Sequence, residues 1–171
     1  MFRYKNLSMI VATDKLGCIG KDNTLPWKDK EEMEVFKEHT TGDDKILIVS
    51  NSTLQTVHNF EEFIATRKKI YAITTNEDLL NTTYKNVEYT TFTKVGLEIY
   101  SNCNREDIKY IVIGGPIVYS YFMTKVGHVL WSVGNFIVED GDTYFTPHVE
   151  GATKTVVKEL RNFTVVQADF I

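Results

Sequence analysis

Two hydrophobic rhythms take turns along this chain. Short, nearly continuous apolar runs rich in β-branched and aromatic residues recur at 7–12, 45–49, 69–73, 86–90, 110–113 and 128–133, the pattern of strands covered on both faces. Between them apolar residues return at helical spacing: over 29–41, over 93–103, where Val95, Ile99 and Cys103 share a stripe, and over 116–125, where Val118, Phe122 and Val126 nearly align. This alternation predicts an α/β fold with a mainly parallel central sheet and flanking helices. The end of the chain departs from it. Two strand-like runs, 153–160 and 163–170, are joined by Arg161 and Asn162 alone, which predicts an antiparallel hairpin closing the sheet at one edge.

Composition narrows the picture. A chain of 171 residues with 43% hydrophobic positions, ten phenylalanines and nine tyrosines suits a single domain over 1–171 with its own core. No linker, repeat or low-complexity tract divides it. The net charge of -4, with cations interspersed among acids, argues against a nucleic-acid or anionic-membrane partner. Cys18 and Cys103 stand apart from each other and from the four histidines, so no metal-ligand spacing is present and no metal is expected. His39, His58, His128 and His148 show no paired partner and are assigned to surface or packing roles. The first residues, MFRYKNLSMIVATD, lack a long apolar run and a small-residue cleavage site, and no segment is long enough to cross a bilayer. A cytoplasmic monomer is the expectation.

Two stretches carry chemistry. In IGKDNTLPWKDKEEMEVF, residues 19–36, Glu32 and Phe36 lie four apart on a helix and point the same way, behind a loop ending in Pro26 and Trp27. Spacing leaves two readings: one more solvated helix glutamate, the commoner case, or a carboxylate set against Phe36, Met33 and Trp27, where only a basic, hydrogen-bonding ligand would offset its burial. In YIVIGGPIVYSYF, residues 110–122, a buried strand runs into two glycines and a helix beginning at Pro116. Free N–H groups at that helix start would suit a phosphate. A tight structural turn explains the glycines equally well.

Together the motifs are more specific than either stretch. Ile19-Gly20, Asn23, Leu25-Pro26-Trp27, Glu32, Phe36, Thr40, Thr53, Arg67, Ile113-Gly114-Gly115, Tyr119, Gly141-Asp142-Thr143 and Phe145 follow one another over nearly the whole chain, and this ordered set resembles the dihydrofolate reductase family. The resemblance implies reduction of 7,8-dihydrofolate to 5,6,7,8-tetrahydrofolate by hydride transfer from NADPH; this chain's own departures on the cofactor side leave NADH open as the donor. It implies catalytic roles for Glu32, Trp27 and Leu25, with Glu32 orienting the pterin and a water near the lid delivering the proton to N5. Substrate would be held by Val11, Ala12, Glu32, Phe36, Arg67, Ile113 and Ser132, with the Arg67 fork on the glutamate carboxylate of folate. The implied cofactor set is Ala12, then Ile19, Gly20 and Asn23 in a mobile lid spanning 14–27, then Ser50, Asn51, Ser52 and Thr53 after the second strand. It continues with Thr74 and Thr75 after the third strand and with Gly114, Gly115, Pro116, Ile117, Val118 and Tyr119, the two glycines being joined by a cis peptide.

Departures from the family pattern fall mainly on the cofactor side. Ser50-Asn51 stand where the family has Gly-Arg, and Pro116-Ile117 replace a glycine and a basic residue; Leu54 and Ile64-Ala65-Thr66 also differ. Two other readings therefore stand beside the first: a pterin or pyrimidine reductase of the same fold, and a non-catalytic pterin-binding or structural protein. Glu32 kept with Trp27 and Phe36 favours folate.

Overall fold

The strand β1, Tyr4–Thr13, shows why the apolar runs are continuous. Leu7, Met9 and Val11 enter one core layer and Ile10 the other, so both faces of the sheet are buried and no polar alternation appears in the sequence. The same division runs through β3 (Lys45–Ser50), β4 (Lys69–Ile73) and β7 (Lys109–Gly114). Leu47, Val49, Ile70, Ala72, Ile111 and Ile113 pack in one layer, and Ile48, Tyr71, Ile73, Tyr110 and Val112 in the other. This computed structural model describes residues 2–171.

The remaining elements complete the chain order. They are β2 (Cys18–Gly20), α1 (Lys30–Thr40), α2 (Asn51–Leu54), α3 (Phe60–Ala65), β5 (Thr83–Tyr84), β6 (Val87–Thr90), α4 (Phe92–Ser101), α5 (Pro116–Phe122), β8 (Val126–Gly134), β9 (Thr143–Tyr144), β10 (Thr153–Glu159) and β11 (Phe163–Asp169). Nine strands form one sheet in the order β10-β11-β8-β1-β7-β3-β4-β6-β5, and β2 pairs with β9 separately. The strands from β8 to β6 are all parallel, while β10 and β11 form the antiparallel edge hairpin expected from the sequence. Val35, Leu54 and Ile64 bring α1, α2 and α3 against one layer; Val95, Ile99, Val118 and Phe122 bring α4 and α5 against the other. Glu98 of α4 accepts hydrogen bonds from the Tyr71 and Tyr110 hydroxyls, fastening that helix to β4 and β7.

The carboxyl ends of β1, β7, β3 and β4 therefore lie side by side along one edge of the sheet. In parallel α/β sheets that edge is where ligands bind. One expectation about the frame needs correcting. His128 does have a partner: β8 and β11 pair in the register that sets it opposite Asp169, and Nδ1 lies 2.7 Å from the carboxylate. No helix among the described residues is long and apolar enough to cross a membrane.

Candidate functional site

Helix α1 starts where it does because Asp29 caps it, its carboxylate accepting the N–H of Glu32 at 3.0 Å. Glu32 thus falls in the first turn, on the same side as Val35 and Phe36, and is only 7% exposed. Burial raises its pKa to about 7, and the nearby Asp29 charge pushes in the same direction. Trp27 pulls weakly the other way: its indole N–H is buried near the carboxyl but makes no hydrogen bond of ordinary geometry. No cation contributes to the environment of Glu32 among the described residues. Met33, expected beside it, is half exposed.

Arg67 is the second buried charge. It is 9% exposed, donates to Thr40 Oγ1 at 2.7 Å and Thr66 Oγ1 at 2.9 Å, and has its guanidinium carbon 4.1 Å from the centre of the Phe63 ring. Its Nε is buried without a partner, and no carboxylate pairs with it among the described residues. An unpaired buried guanidinium is costly, and a carboxylate ligand would answer it through two parallel bonds. Phe36, one turn along α1 from Glu32, and Phe63, against the Arg67 guanidinium, form a nearly parallel pair, 6.4 Å apart and tilted by 22°. Phe63 and the Thr40 support for Arg67 escaped the sequence reading; the i, i+3, i+4 spacing of Phe60, Phe63 and Ile64 was the available signal.

At the sheet edge, Ala12 of β1 pairs in register with Ser132 of β8. Ser132 is buried but makes no hydrogen bond to the Glu32 carboxyl. Val11 needs correcting: its side chain packs in the α4 and α5 layer, and the pleat turns Ile10 toward the α1 layer that holds Phe36. Ile113 shares that layer. The Tyr119 hydroxyl reaches the carbonyls of Ile10 and Ile113 at 2.9 and 3.0 Å, and its ring stacks on Phe145 at 5.0 Å. Burial raises the Tyr119 pKa, so the phenol stays neutral and supports the site from beneath.

The loop spanning 14–27 is tied down at Gly17, Gly20 and Asp22. Asp142 Oδ2 accepts the N–H of Asp22 at 2.8 Å, Asp142 N donates to Gly20 O at 3.1 Å, and Phe145 N donates to Gly17 O at 2.8 Å. Ile19 is half-buried and Gly20 buried, while Asn23 and Leu25 are exposed at the tip. At the stem Trp27, Phe136 and Phe163 form an aromatic cluster with ring centres 5.4 to 5.8 Å apart. A cavity of about 520 Å³ borders this cluster, lined by Trp27, Phe136 and Phe163 and by residues of the loop before Trp27; neither Glu32, Phe36 nor Arg67 lines it. Cys18, within that loop, is fully buried with its pKa raised by burial, an inert filler.

On the other side of β7 the peptide joining Gly114 and Gly115 is cis. A Cβ on Gly115 would stand 2.6 Å from Thr53 Oγ1, so only glycine leaves that approach open. Ser50 Oγ caps α2 by accepting the N–H of Thr53 and also accepts that of Gly115. No side chain among the described residues caps α5, which leaves its first-turn N–H groups at Ile117 and Val118 free. These donors and the Thr53 hydroxyl suit a dinucleotide diphosphate. Val118 offers only its backbone there, because its side chain is core; Ile117 is 74% exposed. Asn51, Ser52, Thr74 and Thr75 follow on from β3 and β4 along the same edge.

The sequence comparisons agree with this geometry. A dihydrofolate reductase from Staphylococcus haemolyticus is 27% identical over 157 residues, covering 85% of this chain and 79% of the relative. Another from Buchnera aphidicola is 24% identical over 155 residues, covering 90% and 85%. The enzyme from Enterococcus faecium is 48% identical over 44 residues, 26% of this chain and 25% of its own. With the dihydrofolate reductase family model matching residues 6–163, the chain belongs to the dihydrofolate reductase family, as a divergent member.

Proposed function

We propose that this chain reduces 7,8-dihydrofolate to 5,6,7,8-tetrahydrofolate, taking hydride from a reduced nicotinamide dinucleotide. NADPH is the donor implied by the resemblance, and NADH is its alternative. The observation that carries the reading is a pair of buried, unanswered charges, Glu32 one helical turn from Phe36 and Arg67 against the Phe63 ring, with the two rings packed together. Dihydrofolate has the complementary layout: a basic, hydrogen-bonding ring at one end, a flat aromatic middle and carboxylates at the other.

Each residue then has a defined task. Glu32 binds the amino group and ring nitrogen of the pterin and, as an anion, favours a protonated ring, which lowers the barrier to hydride addition at C6. Phe36 and Phe63 hold the aromatic middle, and Arg67 grips the tail through its fork. Gly115, Thr53 and the α5 start would hold the dinucleotide, which supplies the hydride when bound. Trp27, Ile19, Gly20 and Leu25, in the lid, limit water to the molecule that delivers the N5 proton.

The test is to mix purified protein with dihydrofolate and each reduced dinucleotide and follow absorbance. Substrate-dependent loss of the reduced nicotinamide is the expected result. Binding of dihydrofolate without turnover would instead indicate a non-catalytic pterin-binding protein, and turnover only with another pterin or pyrimidine would shift the substrate.

A further inference from the structure

If dihydrofolate lies over Glu32 and Phe36, the reacting end of the dinucleotide faces Ile113 and its diphosphate meets Gly115 and Thr53. Its adenosine half must then run on over the carboxyl ends of β3 and β4, which follow β7 in the sheet. That ground offers no lysine or arginine of its own. Segments 46–66, 70–84 and 110–124 hold the ends of β3, β4 and β7 and the residues after them, and none contains a lysine or arginine. The strand lysines lie at the opposite edge, because Lys45, Lys69 and Lys109 begin β3, β4 and β7. What the carboxyl edge presents is hydroxyl and amide chemistry from Ser50, Asn51, Thr74 and Thr75, with apolar Ile117 beside it. The next side chains beyond Thr75 are Asn76 and the acids Glu77 and Asp78. Lys94, which follows β6, is more than half exposed and lies 3.4 Å from Asn81 Oδ1 and 4.0 Å from Glu88.

A phosphate monoester carries about -1.5 to -2 charges at neutral pH. Moving it from water onto neutral hydroxyls beside two carboxylates loses hydration without a cation in return. A ribose 2′-hydroxyl, by contrast, is a neutral donor and acceptor and matches that lining. Resting on the reductase reading above, we propose that the preferred hydride donor is NADH, with Asn51, Thr74 and Thr75 forming a ribose-diol site that has no countercharge for a 2′-phosphate.

The test pairs binding with turnover. Calorimetric titration of the purified full chain with NADH and NADPH, at low and moderate salt, is expected to show NADH bound more tightly, by about tenfold, and kcat/KM with dihydrofolate should follow the same order. Asn51→Arg should raise NADPH affinity about tenfold, weaken NADH binding because the amide contact to the ribose diol is lost, and make NADPH binding fall with added salt. Tighter binding of NADPH by the unaltered chain would overturn the proposal, as would an Asn51→Arg variant that gains nothing for NADPH. Preferential NADH binding without turnover would overturn the reductase reading while leaving the nucleotide preference standing, and failure to bind either nucleotide would overturn both.

Discussion

Asp29 acts on Glu32 twice: it accepts the Glu32 N–H at 3.0 Å, fixing the helix start, and its charge helps hold the Glu32 proton. Asparagine caps helices as well as aspartate does but has no charge. Asp29→Asn should therefore leave α1 in place, keep the bond to the Asn162 side chain on the other carboxyl oxygen within reach, and lower the Glu32 pKa from its value of about 7. In steady-state rates measured across pH, the limb set by Glu32 should move toward acid. An unmoved limb would separate the two residues.

Removing the charge of Glu32 itself should trade stability against activity. Its folded pKa of about 7 lies above the ordinary 4.5, so the folded state binds the extra proton, and stability falls as pH rises from 4.5 to about 7. Above that range the free protein carries a penalty on the order of 3 kcal/mol, because each tenfold change in proton affinity is worth about 1.4 kcal/mol. Glu32→Gln should remove most of it, so that denaturant melts of the variant become flat between pH 5 and 8 and exceed the unaltered chain at pH 8. Reduction at neutral pH should slow strongly, with partial recovery in acid, where dihydrofolate protonates by itself. A neutral rate equal to that of the unaltered chain would remove Glu32 from the chemistry.

Much of this arrangement is legible in the sequence, and its gaps have physical causes. Strands buried on both faces leave long apolar runs, and α1 is marked by Asp29, Glu32 and Phe36 at fixed spacing. That same continuity hides the phase of β1: the run Met9, Ile10, Val11, Ala12 has no polar residue to reveal which side chains face α1, and Val11 is misassigned for that reason. Elements α2, α3, β2, β5 and β9 span two to six residues and are too short to show a period. The His128 and Asp169 pair depends on the register of β11 against β8, two strands separated by the edge hairpin's first strand and the loops around it, which spacing cannot supply.

Arg67 should matter for one part of the substrate. Arg67→Met keeps much of the apolar packing on Phe63 and removes a buried cation with no protein anion, so its cost to folding should be small. Losing a charged hydrogen-bonding pair worth about 1.5–3 kcal/mol should raise KM for dihydrofolate by about 10- to 100-fold. A pterin lacking the glutamate tail should be reduced equally by both proteins. Equal loss on both substrates would show that Arg67 shapes the site as a whole instead.

Asp14 should decide whether the lid is ordered. Burial raises its pKa, but backbone donors outweigh this: Leu16 and Cys18 donate to one carboxyl oxygen and Val138 to the other, each at 2.8 Å, and the net effect is downward. The stabilisation is therefore present above the ordinary pKa of 3.8 and is lost as pH falls through the lowered folded value. Asp14→Asn puts an amide NH₂ against one of these donors and should cost about 1–3 kcal/mol. Hydrogen exchange at the Leu16, Cys18 and Val138 amides should quicken together. Change confined to Leu16 and Cys18 would leave the link to residues 136–139 unsupported.

Gly134 sets the room for the aromatic cluster that fixes Trp27. A Cβ there would lie 2.7 and 2.9 Å from two atoms of the Phe136 ring and 3.1 Å from the Thr13 carbonyl. The ring can move only by disturbing its contacts with Trp27 and Phe163, at 5.5 and 5.4 Å between ring centres. Gly134→Ala should thus destabilise the chain by about 1–3 kcal/mol through overpacking and shift Trp27 fluorescence, since the indole loses its fixed neighbour. Phe136→Leu frees the same space, so adding it to Gly134→Ala should recover part of the lost stability. The carbonyl contact remains in the double variant and limits that recovery. Costs that simply add would place the strain at Thr13 and not at the ring, because only a shared contact makes two substitutions couple.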